Sequence, residues 1–167
     1  YNIKSISLRY FNAAGAYFNI GEDRKHETHI LPILFNAVKS KKIFNIFGND
    51  YNTPDGTCVR DYIHVEDLVD AHLLAYDKLN DIKHAKINLG SEKGVSNLET
   101  VKIVSDLINE KIDFNFLERR HGDPDELIAS SAEAKKILSW KNNHSFQDII
   151  NSLITYYGLK WLLVEHH

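Results

Sequence analysis

Residues 50–67 read DYNTPDGTCVRDYIHVED. The first half is turn chemistry, with Asn52, Pro54, Asp55 and Gly56 each favouring a bend for its own reason. Arg60 then opens an apolar and aromatic run, Val59 to Val65, and the acids Glu66 and Asp67 follow. The stretch reads as a long loop, a short extended piece at 59–64 and a helix from 66 to 80. A loop this elaborate that ends on one arginine raises the question of what the arginine grips.

Outward from that stretch, strands and helices alternate. Upstream lie a strand at 3–10 with Ile6, Leu8 and Tyr10 alternating, and a loop, NAAGAYFNIGED. A helix at 28–41 follows, with Leu31, Leu34, Phe35 and Val38 at helical spacing and Pro32 in its first turn, and then a strand at 43–47. The 66–80 helix places Leu68, Ala71, His72, Ala75 and Leu79 on one face. Downstream come a strand at 85–89, a helix from the Ser96/Glu99 capping box to about Glu110, and a strand at 113–117. Two box-like helix starts follow, Ser130/Glu133 and Ser145/Asp148, and the last helix turns Phe146, Ile149, Ile150, Leu153, Ile154 and Tyr157 inward. The order is that of an α/β protein. No repeat, low-complexity tract or inter-domain linker interrupts it.

Composition narrows the function classes. The 167 residues suit one domain with a real core, and 43% hydrophobic with 26% charged residues is ordinary for a water-soluble protein. A net charge of −3 offers no basic field for nucleic acid. No apolar run is long enough to span a bilayer, and no signal peptide opens the chain, so no membrane partner is expected. One cysteine, Cys58, fits a reducing compartment and a cytoplasmic location, and reads as a small core residue. The chain has no methionine and starts at Tyr1, and its last residues, 161–167, look like the start of an affinity tag. It is therefore expected to be a piece of something longer, with residues 1–160 as the folded portion.

Two basic features stand in loops, Arg60 and the RRHGD of 119–123. Arginines held at strand ends suit a phosphate or diphosphate, whose oxygens match the guanidinium fork. Ion pairs of Arg60 with Asp61 or Glu66, and of Arg119 with Asp123, are the alternative. His26 and His29, in HETH, are three residues apart rather than four, and no metal site is expected. Thr28 to Leu31 open a helix whose free N–H groups favour an anion. His64 and His72 read as structural, while Phe47, beside Gly48, can stack on a flat ring. No glycine-rich dinucleotide turn follows any strand. The Tyr156–Lys160 pair, at the proton-transfer spacing Tyr-x-x-x-Lys, is broken by Gly158 and reads as coincidence.

Four segments in order add a resemblance: LRYFNAAGA (8–16), IFGNDYNTPDGTCVRDYIHVEDLVDAH (46–72), INLGS (87–91) and RRHGDPDELIASSAEAKKILSW (119–140). Together they resemble the carboxyl-terminal half of the UDP-glucose 4-epimerases, a branch of the extended short-chain dehydrogenases, from about residue 5 to residue 158. Sugar-nucleotide dehydratases and related epimerases share a shorter arginine-bearing version of the loop. The resemblance implies the carboxyl-terminal part of an NAD-binding Rossmann-type fold with its smaller substrate-binding α/β domain. It implies that Arg60 and Arg120 hold the diphosphate of UDP-glucose or UDP-galactose, and that Asp123 accepts from the ribose hydroxyls. Asn45 and Phe47 would hold the uracil, and Asn12, His29 and Ile30 would contact diphosphate or sugar. Tyr62 would line the pocket, Leu127 would face the sugar, and Tyr10, Phe11 and Ala13 would touch the nicotinamide end of NAD. The family reaction moves hydride from the sugar C4 to NAD and back through a 4-keto sugar. The glycine-rich NAD turn and the catalytic Ser/Tyr/Lys set belong to the family's amino-terminal half, so no catalytic residue is expected here and this chain alone should be inactive. The family's homodimers form mostly through that other half. Epimerases of N-acetylated or uronic sugars, and a non-catalytic nucleotide-sugar binding module, are the other readings.

Overall fold

The computed structural model describes residues 3–159, so Lys160 of the Tyr156–Lys160 pair and the 161–167 tail lie outside the described residues. Eight strands and five helices follow one another in these residues. They are β1 (Ser5–Tyr10), β2 (Asn12–Ala14), α1 (Ile30–Ser40), β3 (Phe44–Phe47), β4 (Val59–His64), α2 (Val65–Lys78), β5 (His84–Leu89), β6 (Gly94–Ser96), α3 (Asn97–Ile108), β7 (Phe114–Leu117), β8 (Glu126–Leu127), α4 (Ala132–Leu138) and α5 (Phe146–Tyr156).

β4, the strand that carries Arg60, is the hub. It pairs parallel with β2 and β8 and antiparallel with β6. β1 pairs parallel with β5, and β3 pairs parallel with β7. Two apolar clusters result. One joins α1, β3, α3 and α5 around Phe35, Ile46 and Ile150. The other joins β1, β5, α2 and α4 around Ile63, Ile87 and Trp140. Trp140 is fully buried, and its indole N–H donates to the Asp67 carbonyl at 2.9 Å.

Helix ends follow the expected chemistry in two places and depart from it in a third. Ser96 with Glu99, and Ser145 with Asp148, form complete capping boxes. The Ser130/Glu133 box does not form. The N-cap of α4 is Ser131, whose hydroxyl is drawn instead to the backbone of Gly90, donating to its carbonyl at 2.9 Å. On α2, Leu68, Ala71 and Ala75 face the core as expected, but His72 is exposed and Leu79 caps the helix end. The outer face of α2 instead carries Val69, Leu73 and Tyr76, exposed by 58%, 61% and 77%. Tyr10 is also turned outward, where its hydroxyl meets His72 Nε2 at 2.7 Å. The NAAGAYF segment, read as loop, begins with the short strand β2. Among the described residues no helix is long and apolar enough to cross a membrane.

Candidate functional site

The loop before Arg60 is a rigid brace. Tyr51 N–H donates to the Gly56 carbonyl, Gly56 N–H to the Thr53 carbonyl, and Thr53 Oγ1 to the Thr57 carbonyl, at 2.9, 3.2 and 2.7 Å. Gly56 has φ +77°, and a Cβ there would come within 2.4 Å of the Asn49 carbonyl oxygen, so the turn needs glycine. Asp55 ties the loop to α3 by accepting from Thr57 N–H and Oγ1 and from the Ser96 hydroxyl. Burial is the largest influence on Asp55 and pushes its carboxyl up, but the bonds from Ser96 and Thr57 together outweigh it and hold the pKa below the usual value.

That brace delivers Arg60 to one wall of a cleft of about 1140 Å³. Its Nη1 donates to the carbonyls of Val59 and Pro124 at 2.8 and 2.9 Å. Its Nη2 lies 3.7 Å from the Asp123 carboxylate. Neither of the alternative partners, Asp61 or Glu66, pairs with it. Asp61 is wholly buried and accepts from the N–H groups of Ser91, Glu92 and Ala129 and from the Ser91 hydroxyl. Arg119 stacks on the Tyr51 ring at 4.0 Å and pairs with Asp125 at 3.3 Å, touching only the carbonyl of Asp123. Arg120 turns the other way, into the cleft, with its guanidinium 4.1 Å from the centre of the Phe47 ring.

Phe47 ends β3 and Arg120 follows β7, at the carboxyl end of this parallel pair, where open α/β sheets gather ligands. β3 has a strand partner on one edge only among the described residues, and both Asn45 and Phe47 line the cleft. Asn12, Ala13, His29, Ile30, Tyr62 and Asp123 line it as well. Asn12 is oriented by donating from Nδ2 to the Asp61 carbonyl at 2.6 Å. Tyr62 is buried beneath, its ring 5.0 Å from that of Phe146, and burial pushes its hydroxyl pKa upward. Tyr10 and Phe11 are not among the lining residues. Leu127, on β8 beside Arg60, is exposed but does not line the cleft.

The start of α1 differs from expectation. The N–H groups of Thr28 and His29 are both taken by the Glu27 carboxylate at 2.8 Å. His29 Nδ1 lies 2.7 Å from a Glu22 oxygen. The chain's own acids thus fill part of the place read as open to an anion. Cys58 is buried, as its sequence setting implied, and burial raises its thiol pKa.

Residues 1–90 match the NAD dependent epimerase/dehydratase family. The chain belongs to that family. A UDP-glucose 4-epimerase of Streptococcus mutans is 48% identical over 153 residues, which are 89% of this chain and 45% of that protein. Among solved structures, the Brucella ovis UDP-glucose 4-epimerase in complex with NAD superposes with a TM-score of 0.88 at 37% identity, covering 95% of this chain and 50% of the other. The Bifidobacterium longum UDP-glucose 4-epimerase in complex with NAD+ and UDP gives 0.85 at 35% identity, covering 92% and 47%. The chain spans about half the length of the curated relatives it matches. The α/β fold with parallel pairs is the one expected of this family.

Sequence reading missed Asp61 and the His64/His144 contact. Asp61 stands between Arg60 and Tyr62 and looks like a surface ion-pair partner. His144 lies in a different segment from His64, yet their rings stack at 4.4 Å. No spacing rule connects the two.

Proposed function

We propose that this protein is the UDP-sugar-binding portion of a UDP-glucose 4-epimerase, an isomerase that interconverts UDP-galactose and UDP-glucose with bound NAD. The observation that carries the reading is the convergence of Arg60, Arg120, Asp123, Asn45 and Phe47 on one cleft. In this reading Arg60 and Arg120 bind the diphosphate and Asp123 accepts from the ribose hydroxyls. Phe47 packs on the uracil, in exchange for Arg120, and Asn45 offers the backbone of the open β3 edge. Asn12, His29 and Ile30 contact the diphosphate or sugar, and Tyr62 closes the floor. Two guanidinium groups on a diphosphate make a firm pivot, which leaves the sugar loosely held and able to present either face.

For NAD the fit is partial. Ala13 lines the cleft and Tyr10 ends β1 with an exposed ring, so this strip suits a nicotinamide. The sequence has no glycine-rich turn for the pyrophosphate, which another part of the protein would bind. NAD, when bound, accepts and returns the hydride at the sugar C4. The residues here anchor UDP and orient the sugar. The outer face of α2 and the edge of β1 that has no strand partner among the described residues are then the surfaces on which an amino-terminal half packs. The complete enzyme is cytoplasmic and homodimeric in this reading.

Calorimetric titration with UDP and UDP-glucose tests it. Binding of both, with no epimerisation by this chain alone, is expected. Turnover by this chain alone, or indifference to uridine nucleotides, would overturn the reading.

A further inference from the structure

Three arginines stand in or beside the cleft, and they are held in different ways. Arg60 gives Nη1 to two backbone carbonyls, and Arg119 is fixed by the Tyr51 ring and by Asp125. Arg120 has no such anchor. It is exposed, and among the described residues its guanidinium makes no hydrogen bond and no ion pair. What holds it is the Phe47 ring, with 4.1 Å from the guanidinium carbon to the ring centre. The Arg120 backbone, by contrast, is set. Asp123 N–H donates to its carbonyl at 3.3 Å, across a turn in which Gly122 has φ +85°. The same turn places Asp123 3.7 Å from Arg60 Nη2. Arg120 is therefore rooted one turn away from Arg60, and rotation of its side chain alone carries the guanidinium off the ring toward Arg60.

We propose that Arg120 gates the base subsite: it covers the Phe47 ring until an oxyanion draws it away, so the cleft selects nucleoside diphosphates over nucleosides. The inference rests on the UDP-binding reading above and adds a coupling between two parts of that ligand. A base stacked on Phe47 needs the ring face that the guanidinium occupies, so the two exclude each other. A cation over a partly exposed ring is weakly held, whereas a phosphate oxygen offers the guanidinium a charge-assisted hydrogen bond. The diphosphate therefore wins Arg120 from the ring. A neutral nucleoside brings no anion and must displace Arg120 into water. Arg60 and Arg119 cannot take this role, because their guanidinium groups are already fixed by protein partners. In this scheme Arg120 both binds the diphosphate and withholds the base platform from ligands that lack one.

The test is calorimetric titration of wild type and Arg120→Ala with uridine and with UDP. Arg120 is exposed, so the variant keeps the fold, as unchanged circular dichroism would verify. Uridine should bind Arg120→Ala about two- to fivefold more tightly than wild type, the factor that a partly exposed cation–π contact is worth. UDP should bind the same variant about tenfold or more weakly, since it loses a charged hydrogen-bond partner. The uridine gain should vanish when Phe47→Leu is added to Arg120→Ala and compared with Phe47→Leu alone, because no ring is then left to uncover. UDP binding by wild type with uridine no tighter in Arg120→Ala would overturn the gate and leave the UDP-binding reading standing. A uridine gain that persists in the Phe47→Leu background would also overturn it, since the gain would not pass through the ring. Failure of wild type to bind UDP would overturn that underlying reading, and the gate with it.

Discussion

The Arg60 guanidinium lies 3.7 Å from the Asp123 carboxylate, while its Nη1 is held by two backbone carbonyls. The carbonyls fix the arginine, and the longer contact to Asp123 leaves room for another oxyanion. Arg60→Ala is therefore expected to weaken UDP binding by about 1.5–3 kcal/mol, the range for hydrogen bonds to charged groups, when measured by calorimetry. Equal affinity in wild type and variant would remove Arg60 from the site.

Asp123 can be separated from Arg60 by choice of ligand. Asp123→Asn should lower affinity for UDP, which has ribose hydroxyls, and leave inorganic diphosphate bound as well as before or better. A parallel loss for both ligands would mean that the aspartate acts only by holding Arg60.

Buried Asp61 accepts three backbone N–H groups and one hydroxyl. Asp61→Ala leaves those donors without an acceptor beneath the β4 hub. A loss of about 3 kcal/mol or more in urea unfolding is expected. A change below 1 kcal/mol would mean that water replaces the carboxylate without strain.

Acid should loosen the Arg60 brace. The Asp55 pKa is lowered from 3.8 in the fold. Its contribution to stability is therefore fully present above that value and lost as pH falls through the lower folded value. Thermal melts between pH 5 and pH 2 should show a shallower acid slope for Asp55→Asn than for wild type. Identical slopes would place the acid sensitivity elsewhere.

The outer face of α2 gives a prediction about association. Leu73→Glu should leave stability within about 0.5 kcal/mol, because the side chain is exposed. It should also reduce self-association in light scattering, and prevent recovery of epimerase activity when a relative's amino-terminal half is added. Normal recovery with Leu73→Glu would direct that contact to another surface.

Where the sequence was legible, the physics was local. The capping boxes at Ser96 and Ser145, the helical stripe of α5 and the turn residues of 52–56 each act within a few residues. The extended piece at 59–64 was visible, but its place at the centre of four strands was not. Its partners β2, β6 and β8 have only three, three and two residues, too few to show alternation. Arg60 and Arg120, which both line the cleft, were conspicuous as guanidinium groups in loops, and it was the family resemblance that named Arg120 rather than Arg119. Asp61, the Glu27 bonds at the start of α1 and the His64–His144 stack depend on how distant segments meet, or on where a side chain turns back. Composition and periodicity carry no record of either.

Trp140 gives the protein an optical probe of its own. The sequence holds a second tryptophan, Trp161, and Trp161→Phe would leave Trp140 as the sole indole. That indole is buried and bonded to the carbonyl of Asp67, the residue whose carboxylate holds His144. Its emission should be blue-shifted in the folded chain, and any displacement of the first turn of α2 alters the bond it makes. Fluorescence can thus report in real time on a region with no other chromophore of comparable brightness.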